Sequence, residues 1–139
     1  MKLEEYLLTC DFIKADDNYI SDGAFAISKE YIKSKILKIA KNTDDLFAEC
    51  VETVPFEKGE EFDCISIGTK CELWKAEKIG IYYNDKYLFD YNYIKMLIEQ
   101  LPYWKIFTFY VVENKFGQPV LKIFVDDEFV ACLIAIEKY

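Results

Sequence analysis

Histidine is absent from the 139 residues, and so is arginine. Without histidine the chain loses the commonest general acid or base, and with it the Cys–His pair and the Ser–His–Asp triad. Without arginine there is no bidentate fork for a phosphate or a guanine; all 17 basic residues are lysine. Neither G-x-x-x-x-G-K-[ST] nor G-x-G-x-x-G occurs, so no glycine-rich phosphate cradle is indicated. No run approaches the ~20 apolar residues that span a bilayer. The first residues, Met1-Lys2-Leu3-Glu4-Glu5, carry acids where a signal peptide needs a basic and then an apolar stretch. A cytoplasmic protein without a membrane partner is expected. The five cysteines stand at 10, 50, 64, 71 and 132 and form no C-x-x-C. Their spacing and the missing histidine predict free thiols, no metal and no other cofactor.

What is present is apolar and acidic. The hydrophobic fraction is 53% and the aromatic fraction 17%, which argues against disorder. The length suits one domain, residues 1–139, with a proper core. A net charge of −8 repels nucleic acid except where lysines cluster.

The stretch from Ile79 to Ile136 gives the chain its organisation. Ile79 to Tyr83 is apolar and rich in β-branched and aromatic residues, so it predicts a strand. Asn84-Asp85 offers a helix cap, and Tyr87, Leu88, Tyr91, Ile94, Ile98 and Leu101 recur at helical spacing until Pro102 ends the run. Trp104 to Val112 reads as a strand, Asn114 to Pro119 as a loop, and Val120 to Val125 as a second strand. Asp126-Asp127-Glu128 reads as a hairpin turn. Phe129 to Ile136 is apolar at every position, which describes a strand with neighbours on both faces or a buried helical segment.

The first half is more broken. Leu3 to Cys10 predicts a short helix and Asp11 to Lys14 a strand, followed by an Asp/Asn turn over residues 15–18. Tyr19-Ile20 and Ala24 to Ile27 flank Ser21-Asp22-Gly23, a hairpin signal. Ser28 to Lys41 predicts a second helix with Tyr31 or Ile32, Ile36, Ile39 and Ala40 on its apolar face. It carries five lysines against the single acid Glu30, a net +4, which leaves −12 on the rest of a −8 chain. Such a helix is either an ordinary solvated face or a surface for a polyanion. Leu46 to Val54 is strand or short helix, residues 55–62 an acidic loop, and Cys64–Gly68 and Cys71–Lys75 strands about a turn. The fold class that follows is α+β: two helices packed on a mostly antiparallel sheet.

Catalytic constellations are scarce. Asp16-Asp17-Asn18 with Asp22 is the densest carboxylate group, but Ile20 stands where a calcium loop needs an oxygen, and turn roles explain these residues. Asp22 and Cys64 are the remaining candidates for an unfamiliar enzyme site. The reading is a non-enzyme.

Four segments together resemble the bacterial sliding-clamp family, the β-type processivity factor of DNA polymerase, in its short phage or mobile-element versions. Tyr19-Ile20-Ser21-Asp22-Gly23-Ala24-Phe25 resembles its "TDG" strand end. Tyr82-Tyr83-Asn84-Asp85-Lys86-Tyr87-Leu88 resembles the Phe-Asn segment leading into its "YL" helix. Gln118-Pro119-Val120-Leu121-Lys122-Ile123 resembles a strand after that helix, and Leu133-Ile134-Ala135-Ile136 the closing strand. Two departures stand out: Ala135 replaces a typical proline, and the Asp-Gly strand precedes the lysine-rich segment. The resemblance implies one clamp-like domain, a non-catalytic role in or against DNA replication, and homo-oligomerisation, since one domain cannot form a ring. It places Lys33, Lys35, Lys38, Lys41, Lys86 and Lys95 toward DNA and Leu133, Ile134 and Ile136 beside a pocket for replication or defence proteins. Lysines suffice for such nonspecific phosphate contact. The competing expectation is an acidic inhibitor of a host protein that mimics DNA, carried by the −12 outside the basic segment.

Overall fold

Pro119–Val125 is buried at all seven positions, because side chains alternate from it into two cores. A computed structural model describes residues 2–62, 80–102 and 107–137. Among these residues the fold is α+β, with a large, mostly antiparallel sheet of eight strands and a second sheet of three.

The strands of the large sheet are β1 (Lys14–Ala15), β2 (Tyr19–Ser21), β3 (Phe25–Ser28), β4 (Lys41–Asn42), β5 (Glu60–Glu61), β8 (Phe107–Glu113), β9 (Pro119–Val125) and β10 (Glu128–Ile134). Their order is β4-β1-β2-β3-β10-β9-β8-β5, and the β1–β4 pair is the parallel one. The small sheet joins β11 (Ile136–Glu137), β7 (Tyr87–Asp90) and β6 (Gly80–Tyr82). The helices are α1 (Leu3–Thr9), α2 (Ser34–Leu37) and α3 (Tyr91–Gln100), with a π-helical turn at Phe47–Val51.

Both hairpins follow from local chemistry. Asp22 Oδ1 accepts from the Ala24 and Phe25 amides at 2.8 and 3.1 Å, and Gly23 takes φ +100°, so β2 turns into β3 with Ile20 opposite Ile27. Asp126 and Asp127 both adopt positive φ, the mirror-image turn whose twist matches the strands it joins. Glu128 belongs to β10, not to the turn. In β10 a bulge between Phe129 and Ala131 puts Val130 and Ala131 in the same core.

One face of the large sheet meets the helices. Leu3, Leu7, Ile36, Ile94 and Leu97 pack with Phe25, Ile27, Leu121, Ile123 and Leu133. The other face carries a smaller cluster of Ala26, Leu46, Phe47, Val51, Val112, Val120 and Cys132. The uniformly apolar Phe129–Ile136 stretch is therefore strand β10, buried between β3 and β9, followed by Ala135 and a move into the small sheet.

Four expectations change. The Ser28–Lys41 helix is not formed: Ser28 ends β3, residues 29–31 make one 3-10 turn, Ile32 and Lys33 are extended, and α2 has four residues. Tertiary partners take the backbone groups a helix would use. The Lys33 amide donates to Glu4 Oε2 at 3.0 Å, the Tyr31 carbonyl accepts from Gln100 Nε2 at 2.6 Å, and the Lys41 amide donates to the Ile13 carbonyl at 2.7 Å. The second long helix starts later than Asn84-Asp85 suggested. Asn84 Oδ1 accepts from the Lys86 and Tyr87 amides in a turn, Tyr87 and Leu88 lie in β7, and Asp90 caps α3 through the Asn92 amide at 2.8 Å. The Asp11–Lys14 strand shrinks to β1 at Lys14–Ala15, and part of the acidic 55–62 loop pairs as β5 with β8. The strands expected at Cys64–Gly68 and Cys71–Lys75, and the first residues of those at Ile79 and Trp104, lie outside the described residues.

Candidate functional site

The six lysines expected to face DNA stand on three parts of the chain. Lys33, Lys35, Lys38 and Lys41 are all exposed, along α2 and into edge strand β4. Burying Ile32 and Ile36 turns the intervening lysines outward. Lys33 reaches Glu4 at 3.8 Å. Lys35, Lys38 and Lys41 form no ion pair with a described acid. Lys86 occupies the β6–β7 turn and pairs with Glu137 at 3.5 Å, and Lys95 pairs with Glu99 one helical turn away at 3.9 Å. Lys86 thus stands on a turn and not on a helix, and the basic helix expected over Ser28–Lys41 is reduced to α2 and its flanks.

The expected partner strand divides by burial. Leu133 is 1% exposed and belongs to the helix-side core. Ile134 is partly buried against the smaller cluster, and Ile136 is 48% exposed on β11.

Two polar arrangements escaped the sequence reading. At the hairpin turn, Asp22 Oδ2 accepts from Tyr6 Oη at 2.7 Å and Tyr93 Oη at 3.3 Å, and the two hydroxyls lie 2.9 Å apart. Asp22 thus ties α1, α3 and the β2–β3 turn together. Burial, then the hydrogen bonds to Tyr93 and Asp22, push the Tyr6 phenol far above its ordinary range and keep it a neutral donor. Beside this junction lies an open depression of about 350 Å³, lined by Tyr6, Thr9, Cys10, Asp11, Phe12 and Asp22.

On the opposite face, Lys122 is fully buried in β9. Its ammonium donates to the Val54 and Glu57 carbonyls and lies 5.8 Å from the Phe129 ring centre. A buried ammonium is tolerable only with such partners. Burial lowers its pKa. Its cross-strand neighbour Cys132 is pushed up to about 12 by burial, partly offset by the Lys122 charge. Gly59 closes this strap at φ +81°, and a Cβ there would collide with the Val111 carbonyl and Val112 Cγ1.

Cys10, Cys50 and Cys132 are free thiols. Among the described residues no group of three or more His, Cys, Asp or Glu is placed to hold a metal, and no helix is long and apolar enough to cross a membrane. No family model, curated protein or solved structure matches the chain.

Proposed function

We propose that the chain is a non-catalytic, clamp-like binding protein of a phage or mobile element, which touches the DNA backbone without reading sequence. One observation carries the reading: Lys35, Lys38 and Lys41 are exposed within seven residues of chain, and no described acid pairs with them. Three ammonium groups so placed can displace counterions from neighbouring phosphates. The resemblance in the Asp-Gly hairpin, the segment before α3 and the strands after it adds the clamp-like part. Ring formation by several copies, and docking of replication proteins near Ile134 and Ile136, belong to the same proposal.

The test is a salt titration of fluorescence anisotropy on a duplex of about 20 base pairs. Three phosphate contacts predict a log–log slope of about −2.7, hence a loss of roughly fortyfold between about 50 and 200 mM salt. Substituting Lys35, Lys38 and Lys41 together by Glu abolishes the binding. No retention at low ionic strength, with light scattering showing only monomer, defeats the ring.

A second reading, the acidic inhibitor of a host protein, draws on another edge. Glu57, Glu60, Glu61, Asp127 and Glu128 are exposed near the Lys58–Asp127 pair at 3.4 Å. If this edge mimics DNA, substituting Glu60 and Glu61 by Gln weakens capture of a purified basic nuclease. Unchanged capture discards it.

A further inference from the structure

The strap over residues 52–59 covers the sheet without burying any residue of its own. Its fastenings are polar. The Lys122 ammonium donates to the Val54 and Glu57 carbonyls, and ion pairs join Glu52 to Lys115 at 3.2 Å and Lys58 to Asp127 at 3.4 Å. Both ends are fixed, because Val51 is buried in the smaller cluster and Glu60–Glu61 pair with β8. A residue with positive φ stands at each end, Glu52 at +57° and Gly59 at +81°.

Closure carries three costs that opening would end. The Lys122 ammonium is held out of water. Thr53 Oγ1 is buried and has no hydrogen-bond partner among the described residues. Glu52 keeps a left-handed backbone that a side chain with a Cβ rarely adopts. A segment with such costs and no apolar anchor belongs to the low-stability end of a fold.

We propose that residues 53–58 form a lid that opens as one unit on Glu52 and Gly59 while both sheets stay folded, with the Lys122 ammonium as its latch. Opening bares Lys122 Nζ. It also lifts Lys58 from the Tyr110 and Phe124 rings, whose centres its ammonium approaches to 5.3 and 5.5 Å. A cationic strip with aromatic walls then faces solvent. The lid uses none of the lysines of the DNA reading and stands or falls apart from it.

The test is acylation of the native full chain by a water-soluble N-hydroxysuccinimide ester, with each lysine followed by peptide mass spectrometry. Lys122 should react about tenfold or more slowly than exposed Lys35, at a rate nearly flat in urea below the unfolding transition. Amides of α3 should stay protected from hydrogen exchange under the same conditions. Thr53→Val removes the unpartnered hydroxyl at similar shape and should slow Lys122 acylation about two- to fivefold, with Lys35 unchanged. Three results would each overturn the proposal. One is a Lys122 rate that climbs with urea in step with loss of α3 protection, the mark of global unfolding. Another is a rate equal to that of Lys35, which means no closed lid. The third is an unchanged or faster Lys122 rate in Thr53→Val.

Discussion

The two faces of the large sheet are covered by different means. On one, α1, α2 and α3 lay Leu3, Leu7, Ile36, Ile94 and Leu97 on the strands, and apolar contact provides most of the hold. On the other, the π-helical turn contributes Phe47 and Val51, and a strap around residues 54–57 is fastened by the Lys122 ammonium. The broad apolar cover adds directed bonds at its ends, through Asp22 to Tyr6 and Tyr93 and through Gln100 to the Tyr31 carbonyl; the narrow one draws its fastening from inside the sheet. A charged side chain in a central strand is thus explained by the two carbonyls of the strap that it holds.

The contrast can be broken from either side. Leu97→Ala on the helix side should cost the most, about 3–4 kcal/mol in a denaturant titration, because a fully buried leucine leaves a cavity. A cost below about 1 kcal/mol would mean that helix packing is not what holds that face. Lys122→Met should cost less, about 1–2 kcal/mol, since the lost bonds are partly offset by ending the burial of a charge. Its effect should be local: proteolysis near residues 52–59 accelerates, while hydrogen exchange on α3 stays protected. Equal loss of protection on both faces would contradict the division.

The smallest effect is one of pH. An acid whose pKa is raised by folding leaves stability untouched below its unfolded value, near 9 for a thiol, and removes it as pH climbs toward the folded value of about 12. Cys132 should therefore cost about 1 kcal/mol by pH 10. Lys122, a base lowered by burial, acts in the opposite sense, its contribution rising with pH up to its unfolded value near 10.5. In the Lys122→Met background, which removes that opposing contribution, Cys132→Ala should reduce the alkaline decline measured by urea titration, the remainder coming from groups such as the Cys10 and Cys50 thiols that burial also raises; an unchanged decline would rule the Cys132 thiol out.

Legibility tracked how local the determining bonds are. The β9–β10 hairpin and the β2–β3 hairpin were readable because Asp126, Asp127 and Asp22-Gly23 settle the turns within four residues. Ser28–Lys41 misled because its spacing is helical while Glu4, Gln100 and Ile13, all remote in sequence, claim its amides and a carbonyl. Asn84 misled for a different reason. A side-chain oxygen accepting from amides two and three residues on builds a turn and a helix cap alike. In the site, the outward lysines of 33–41 and the burial of Leu133 in an apolar strand were legible, whereas the exposure of Ile136 was not, since nothing in Leu-Ile-Ala-Ile says where the chain leaves the large sheet. The burial of Lys122 was not legible either, because the Val54 and Glu57 carbonyls that accept from it are remote in sequence.

The position of β10 has a consequence for how the molecule comes into being. It lies between β3 and β9, so Phe25 finds its ladder partner Leu133 roughly a hundred residues further along the chain. During synthesis the β2–β3 hairpin leaves the ribosome with one edge open, and the strand that closes it is translated roughly a hundred residues later. Nascent chains halted before Glu128 would carry that unpaired edge into the cell, where premature termination yields sticky fragments instead of a smaller working protein.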